Sequence, residues 1–132
     1  MLVCSALSVA ADTEGPALEP LSAEAFEAYT TGKTLTYATR GASTPYGVEE
    51  YLPGRRVVWS FVGGECKFGN WFVDLDLICF VYEDNPEPQC WSFYLSEDGL
   101  MAQFENREGS APLYQIGESP APMACMGPLV GA

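Results

Sequence analysis

The chain has 132 residues, 48% hydrophobic and 13% aromatic, enough for one domain with a modest buried core and not a disordered composition. Its formal charge is −12, from 18 acidic and 6 basic side chains, a field that repels phosphate backbones, argues strongly against nucleic-acid binding through a basic groove and disfavours anionic membranes. Histidine is absent, which excludes a Ser-His-Asp or Cys-His hydrolase and a histidine-ligated zinc site, and argues against an enzyme.

Residues 1–10, MLVCSALSVA, are small and apolar, and Ser8-Val9-Ala10 fits a small-x-Ala cleavage site. The first basic residue is Lys33, so the run is read as the remaining end of a signal peptide, and it is too short to span a membrane. A lipoprotein role for Cys4 is the weaker reading, because Leu2-Val3 precedes it where a small residue is expected. Without this segment four cysteines remain, Cys66, Cys79, Cys90 and Cys125, an even number in a small domain and the pattern of a periplasmic or secreted protein. Residues 11–20, acidic and broken by Pro16 and Pro20, read as a linker, and residues 21–132 as a single β domain.

One short helix is predicted in LSAEAFEAYTTG. Ser22 suits the N-cap, Glu24 complements the dipole in the first turn, Leu21 and Phe26 stand at hydrophobic-staple positions, and Gly32 can close the C-terminus. Such a helix would cover one end of the β region behind it. From Lys33 onward the segments KTLTYAT, YGVEEYL, RRVVWSFV, CKFGNWFV, LICFVYE, CWSFYL, LMAQFE and APLYQI read as short strands. Gly, Pro, Asp and Asn clusters separate them. About eight strands at a spacing near ten residues predict an all-β fold, a small antiparallel barrel or strongly twisted meander, closure being the best way to remove edge strands. In RRVVWSFV, Val57, Trp59 and Phe61 share a face. The strand from Leu77 is apolar on both faces, with Ile78, Phe80 and Tyr82 opposing Cys79 and Val81, and is expected to be central. The last segment, with three prolines and no alternation, should cross the body as an extended tail fastened by Cys125.

The stretch ICFVYEDNPEPQCWSFY, residues 78–94, sets two β-prone runs around an acidic, proline-broken loop, with one cysteine in each run. A four-residue loop over Glu83–Pro86 would face Tyr82 to Glu87 and Cys79 to Cys90, and directly opposed residues lie within disulfide reach. That leaves Cys66 to pair with Cys125. Zinc is a poor alternative, because no C-x₂-C pair occurs.

Asp74, Asp76, Glu83, Asp84 and Glu87 raise calcium binding and paired-carboxylate hydrolysis. Their spacing is not that of a calcium loop, and the acids are placed on turns, with no buried strand to hold two at a fixed gap. Neither a metal nor a cofactor is therefore expected. The aromatic endowment is larger. Trp59, Trp71, Trp91, Tyr37 and Tyr82 could line a ligand cavity inside a barrel, against the alternative of ordinary cross-strand packing.

GKTLTY, YGVEEYLPGRRVVW, the Gly69-Asn70-Trp71 piece, ICFVYED, Cys90-Trp91 and Asp98-Gly99-Leu100 resemble an uncharacterised group of small exported proteobacterial proteins, domains of unknown function in the style of lipocalin-like meanders. The resemblance spans roughly residues 21–128 and implies a periplasmic or secreted β domain; it carries no activity and no catalytic residue. Two roles arise as expectations. One is a non-catalytic module, monomeric and not membrane-spanning, that binds a small apolar ligand in a cavity of roughly 300 Å³ or more. The other is a periplasmic interaction or inhibitor-like factor acting on an envelope protein.

Overall fold

A computed structural model describes residues 19–125; the proposed signal segment 1–10, Cys4 and most of the 11–20 linker lie outside them. One helix, α1 (Ala23–Thr30), precedes eight strands: β1 (Thr34–Thr39), β2 (Gly47–Leu52), β3 (Arg56–Phe61), β4 (Lys67–Asp74), β5 (Leu77–Tyr82), β6 (Asn85–Ser96), β7 (Gly99–Phe104) and β8 (Leu113–Ser119). Each strand pairs antiparallel with the next, and β8 pairs back onto β1, so the sheet is a closed barrel. No strand is central in such a ring. The expectation for β5 is corrected in that sense, although Ile78, Cys79, Phe80 and Tyr82 are all buried as its composition suggests. Eight strands enclose an interior about wide enough for side chains to fill.

Period-2 alternation decides what enters. Leu35 and Tyr37 of β1, Glu49 and Tyr51 of β2, Val57 and Trp59 of β3, and Phe80 and Tyr82 of β5 line the inside. The Pro53-Gly54-Arg55 turn fixes the register of β2 on β3, pairing Glu49 with Trp59 and Tyr51 with Val57. Arg55 there adopts φ 59°, and its guanidinium reaches back to Glu27 of α1 at 3.1 Å and lies over the Trp71 ring.

The helix closes one end. Ser22 caps it by accepting from the Ala25 N–H, and Phe26, fully buried, drops into the barrel against Trp71, Phe93, Tyr51 and Phe80. Ring centroids 4.4 and 5.1 Å from Phe93 and Trp71 are close aromatic packing, and burying a phenylalanine contributes roughly 1.5–3 kcal/mol by area alone. Leu21 N–H donates to the Phe93 carbonyl, and Gly32 N–H to that of Tyr51, so both flanks of the helix are sewn to strands.

Both predicted disulfides are present, Cys79–Cys90 and Cys66–Cys125. The hairpin that brings the first together is built differently from the expected four-residue loop. Tyr82 pairs with Asn85 across the two-residue turn Glu83-Asp84, and a bulge then sets Phe80 opposite Gln89 and Cys79 opposite Cys90. Three residues, Pro86-Glu87-Pro88, stand against Val81 alone. The two prolines have no N–H to give the ladder, so the chain bulges where they fall. The surplus is two residues, an even number, which returns both cysteines to one face. The N–H and C=O of Cys90 point toward the other neighbour, bonding Asn106 and Glu105, so the cysteines form the close, non-hydrogen-bonded kind of pair. After β8 the tail crosses the outer face: Thr34 donates to the Ala121 carbonyl, Met123 N–H to Glu50, and Cys125 then closes on Cys66.

Candidate functional site

Among the described residues no helix covers the other end of the barrel. Its rim carries Tyr46 and Phe61, 45% and 44% exposed, packed around Trp59 with ring centroids 5.3–6.0 Å apart. Gly47, at the start of β2, makes room for them. A Cβ there would overlap the Trp59 indole. Below the rim lies a cavity of about 60 Å³. Its walls include Tyr37, Tyr82, Phe80, Trp59 and Trp91, and its one carboxyl is Glu49. Beside it a cleft of about 420 Å³ shares Tyr46, Gln89, Trp91 and Leu113 and extends to Arg107 and Ser110 of the β7–β8 loop.

Glu49 is the feature that distinguishes this end. It stands inside because Gly47, Glu49 and Tyr51 share a face of β2, and it is only 4% exposed. The Tyr82 hydroxyl donates to its Oε2 at 2.6 Å, and Tyr51 adds a smaller hydrogen-bonding contribution. The hydroxyls of Tyr51 and Tyr37 lie 2.8 Å apart, so two hydrogen-bonded pairs, Tyr82–Glu49 and Tyr37–Tyr51, set four polar side chains from β1, β2 and β5 in an otherwise apolar interior. Burial disfavours the charged carboxylate and pushes the Glu49 pKa up to about 8, against the partial relief from Tyr82 and Tyr51. The same burial raises the three tyrosines well above their ordinary range. At neutral pH the group is therefore a carboxylic acid among un-ionised phenols.

Of the five aromatic residues singled out in the sequence, Trp59, Trp91, Tyr37 and Tyr82 meet around this cavity. Trp71 does not. It sits at the helix end, 3% exposed, between Phe26 and the Arg55 guanidinium, because β4 runs downward from the rim and delivers position 71 to the plugged half. Glu49, a buried acid on a strand, lies outside the set of turn acids that the sequence singled out. No second carboxyl joins it among the described cavity residues. The turn acids are also separated: Asp74 and Asp76 flank the β4–β5 turn near α1, while Glu83 and Asp84 form the β5–β6 turn at the opposite end. Among the described residues no three histidine, cysteine or acidic side chains gather as metal ligands would.

A larger cleft, about 770 Å³, lies outside the barrel between residues 19–24 and the β4–β5 turn. It is bordered by surface groups, Leu75, 88% exposed, Arg55 and the exposed acids Glu19, Glu24 and Asp76 among them, where the Glu49 group is buried. No described helix is long and apolar enough to cross a membrane. Comparison with known proteins finds no family model that matches the chain and no curated protein or solved structure similar to it.

Proposed function

We propose that this disulfide-stabilised barrel is an exported, non-catalytic binding module that receives a small, mainly apolar group through its open end. The observation that carries the reading is the asymmetry of the interior: Phe26 fills one half, and the other half keeps a rimmed cavity walled by aromatic rings. Two intramolecular disulfides support an oxidising compartment such as the periplasm or the exterior. The cavity limits what enters. At about 60 Å³ it is well short of the roughly 300 Å³ that encloses a whole drug-sized ligand, so the lipocalin-like version, with the ligand swallowed by the barrel, is set aside. A head group is buried, and the rest of the molecule lies along Tyr46, Trp91 and the outer cleft. The single carboxyl and the absence of histidine favour binding over catalysis.

Native mass spectrometry of the protein taken from its own host tests the reading. A non-covalent adduct is expected, and it should be lost when Trp59→Ala and Trp91→Ala are combined with folding retained. A protein that carries no adduct and whose tryptophan fluorescence ignores small apolar probes would overturn it.

A further inference from the structure

Resting on that reading, we infer that the group bound in the inner cavity is a primary alkylammonium, held between the Glu49 carboxylate and the aromatic walls. Three independent features point to a cation. Among the described residues that line the cavity one is a carboxylic acid and none is basic, and aromatic rings, those of Trp59, Trp91 and Tyr82 among them, make up much of the wall, a surface to which ammonium groups are attracted. Glu49 and the hydroxyls of Tyr37, Tyr51 and Tyr82 supply acceptor oxygens, which the three N–H bonds of a primary ammonium can use. The chain as a whole carries 18 acidic against 6 basic residues, so its field draws cations toward it.

Size decides which cation. At about 60 Å³ the cavity is small, and a CH₂–NH₃⁺ terminus is the slimmest organic ammonium head that could enter it. A trimethylammonium head, with three methyl groups around its nitrogen and no N–H to donate, suits so small and acceptor-lined a cavity less well. The alkyl chain behind the ammonium then leaves between Tyr46 and Trp91, into the outer cleft. The source is either a free amine or a lysine side chain, since both present the same terminus.

Pairing requires Glu49 to give up its proton, so binding releases one proton below about pH 8, where the free site holds an acid. The groups that face Glu49 do not titrate in this range: Tyr37 on β1, Tyr51 on β2 and Tyr82 on β5 are phenols raised by burial. On the remaining sides stand Trp59 of β3, Gln89 and Trp91 of β6, and the apolar Ala102 and Leu113 of β7 and β8. At the rim, Lys67 is paired with Asp84 at 2.6 Å over the Phe61 ring, and Arg107 borders the outer cleft.

The test is a titration followed by tryptophan fluorescence and NMR, using n-butylamine, n-butanol and Nα-acetyl-lysine amide as probes. The amine should bind at least tenfold more tightly than the alcohol, with an affinity that climbs about tenfold per pH unit from 6 to 8. Glu49→Gln should bring the amine down to the level of the alcohol and erase the pH slope. Tyr82→Phe, which keeps the ring but removes the donor to Oε2, should move the slope to higher pH and serves as a second readout if Glu49→Gln folds poorly. Binding of the lysine amide as tight as that of butylamine identifies a lysine side chain as a competent source; butylamine alone identifies a free amine. Equal binding of amine and alcohol, unchanged in Glu49→Gln, would overturn the ammonium assignment and leave the apolar-group reading standing. Binding of none of the three would overturn both.

Discussion

The two ends of this barrel are built from the same eight strands and differ in what fills them. At the helix end the strands converge on Phe26, and the interior is apolar, filled and sewn shut by backbone hydrogen bonds from Leu21 and Gly32. At the open end the same interior positions carry Glu49 and three tyrosine hydroxyls, and large rings stand exposed at the rim. A buried acid is costly in such an interior, and the hydrogen bond from Tyr82 offsets only part of that cost. The contrast sets a half that is filled and fastened by backbone hydrogen bonds against a half that keeps a cavity, a buried acid and exposed rings at its rim.

The largest expected effect falls on the plug. Phe26→Ala removes a fully buried ring that touches four others and should destabilise the domain by about 3–5 kcal/mol in denaturant unfolding, with the helix end opening first in hydrogen exchange. A loss below about 1 kcal/mol would mean that the helix is a cover rather than a plug. Next come the disulfides. By the entropy of the loops they close, removing Cys66–Cys125, separated by 59 residues, should cost about 4 kcal/mol and removing Cys79–Cys90, separated by 11, about 3. The first fastens the tail and the second a hairpin, so equal losses with identical exchange patterns would contradict the assignment.

A third prediction concerns pH and belongs to the open end alone. The folded state holds a proton on Glu49 that the unfolded chain releases, so the stability this contributes is full below about pH 4.5, declines as pH rises and is gone above about 8. Between pH 5 and 8.5 the wild type should lose a few kcal/mol that Glu49→Gln keeps, and the two unfolding curves should cross or converge accordingly. Parallel pH profiles would show that the carboxyl is solvated after all. The smallest effect is at the surface: Arg55→Ala, which removes a half-exposed pair with Glu27 and a stacking contact on Trp71, should cost no more than about 1 kcal/mol.

Much of the closed end was legible in the sequence. Ser22, Phe26 and Gly32 spell a capped helix with one large ring on its inner face, and the alternation of Leu35-Tyr37 and Val57-Trp59 shows which side of β1 and β3 turns inward. The cysteine pairing was legible too, though by a route the chain does not take: a tight turn plus a proline bulge gives the same parity as a wider loop. The open end was harder. Glu49 follows the phase of Tyr51 and sits across from Trp59, and the Pro53-Gly54-Arg55 turn carries that information. Against it stood the ordinary expectation that a glutamate in an amphipathic strand faces water, which holds for its neighbour Glu50 on the outer face. Trp71 was misplaced for a different reason. Alternation says that it points inward, but only the direction of β4 says at which depth, and depth is set by the ring as a whole.

The protonation state of Glu49 reports most directly on whether the open end is a dry, aromatic chamber or a wetted mouth. A carbon-13 NMR titration of its side-chain carboxyl, with Glu49→Gln used to assign the signal, is expected to show a midpoint near pH 8. A midpoint near 4.5, the ordinary value for a glutamate, would contradict the account.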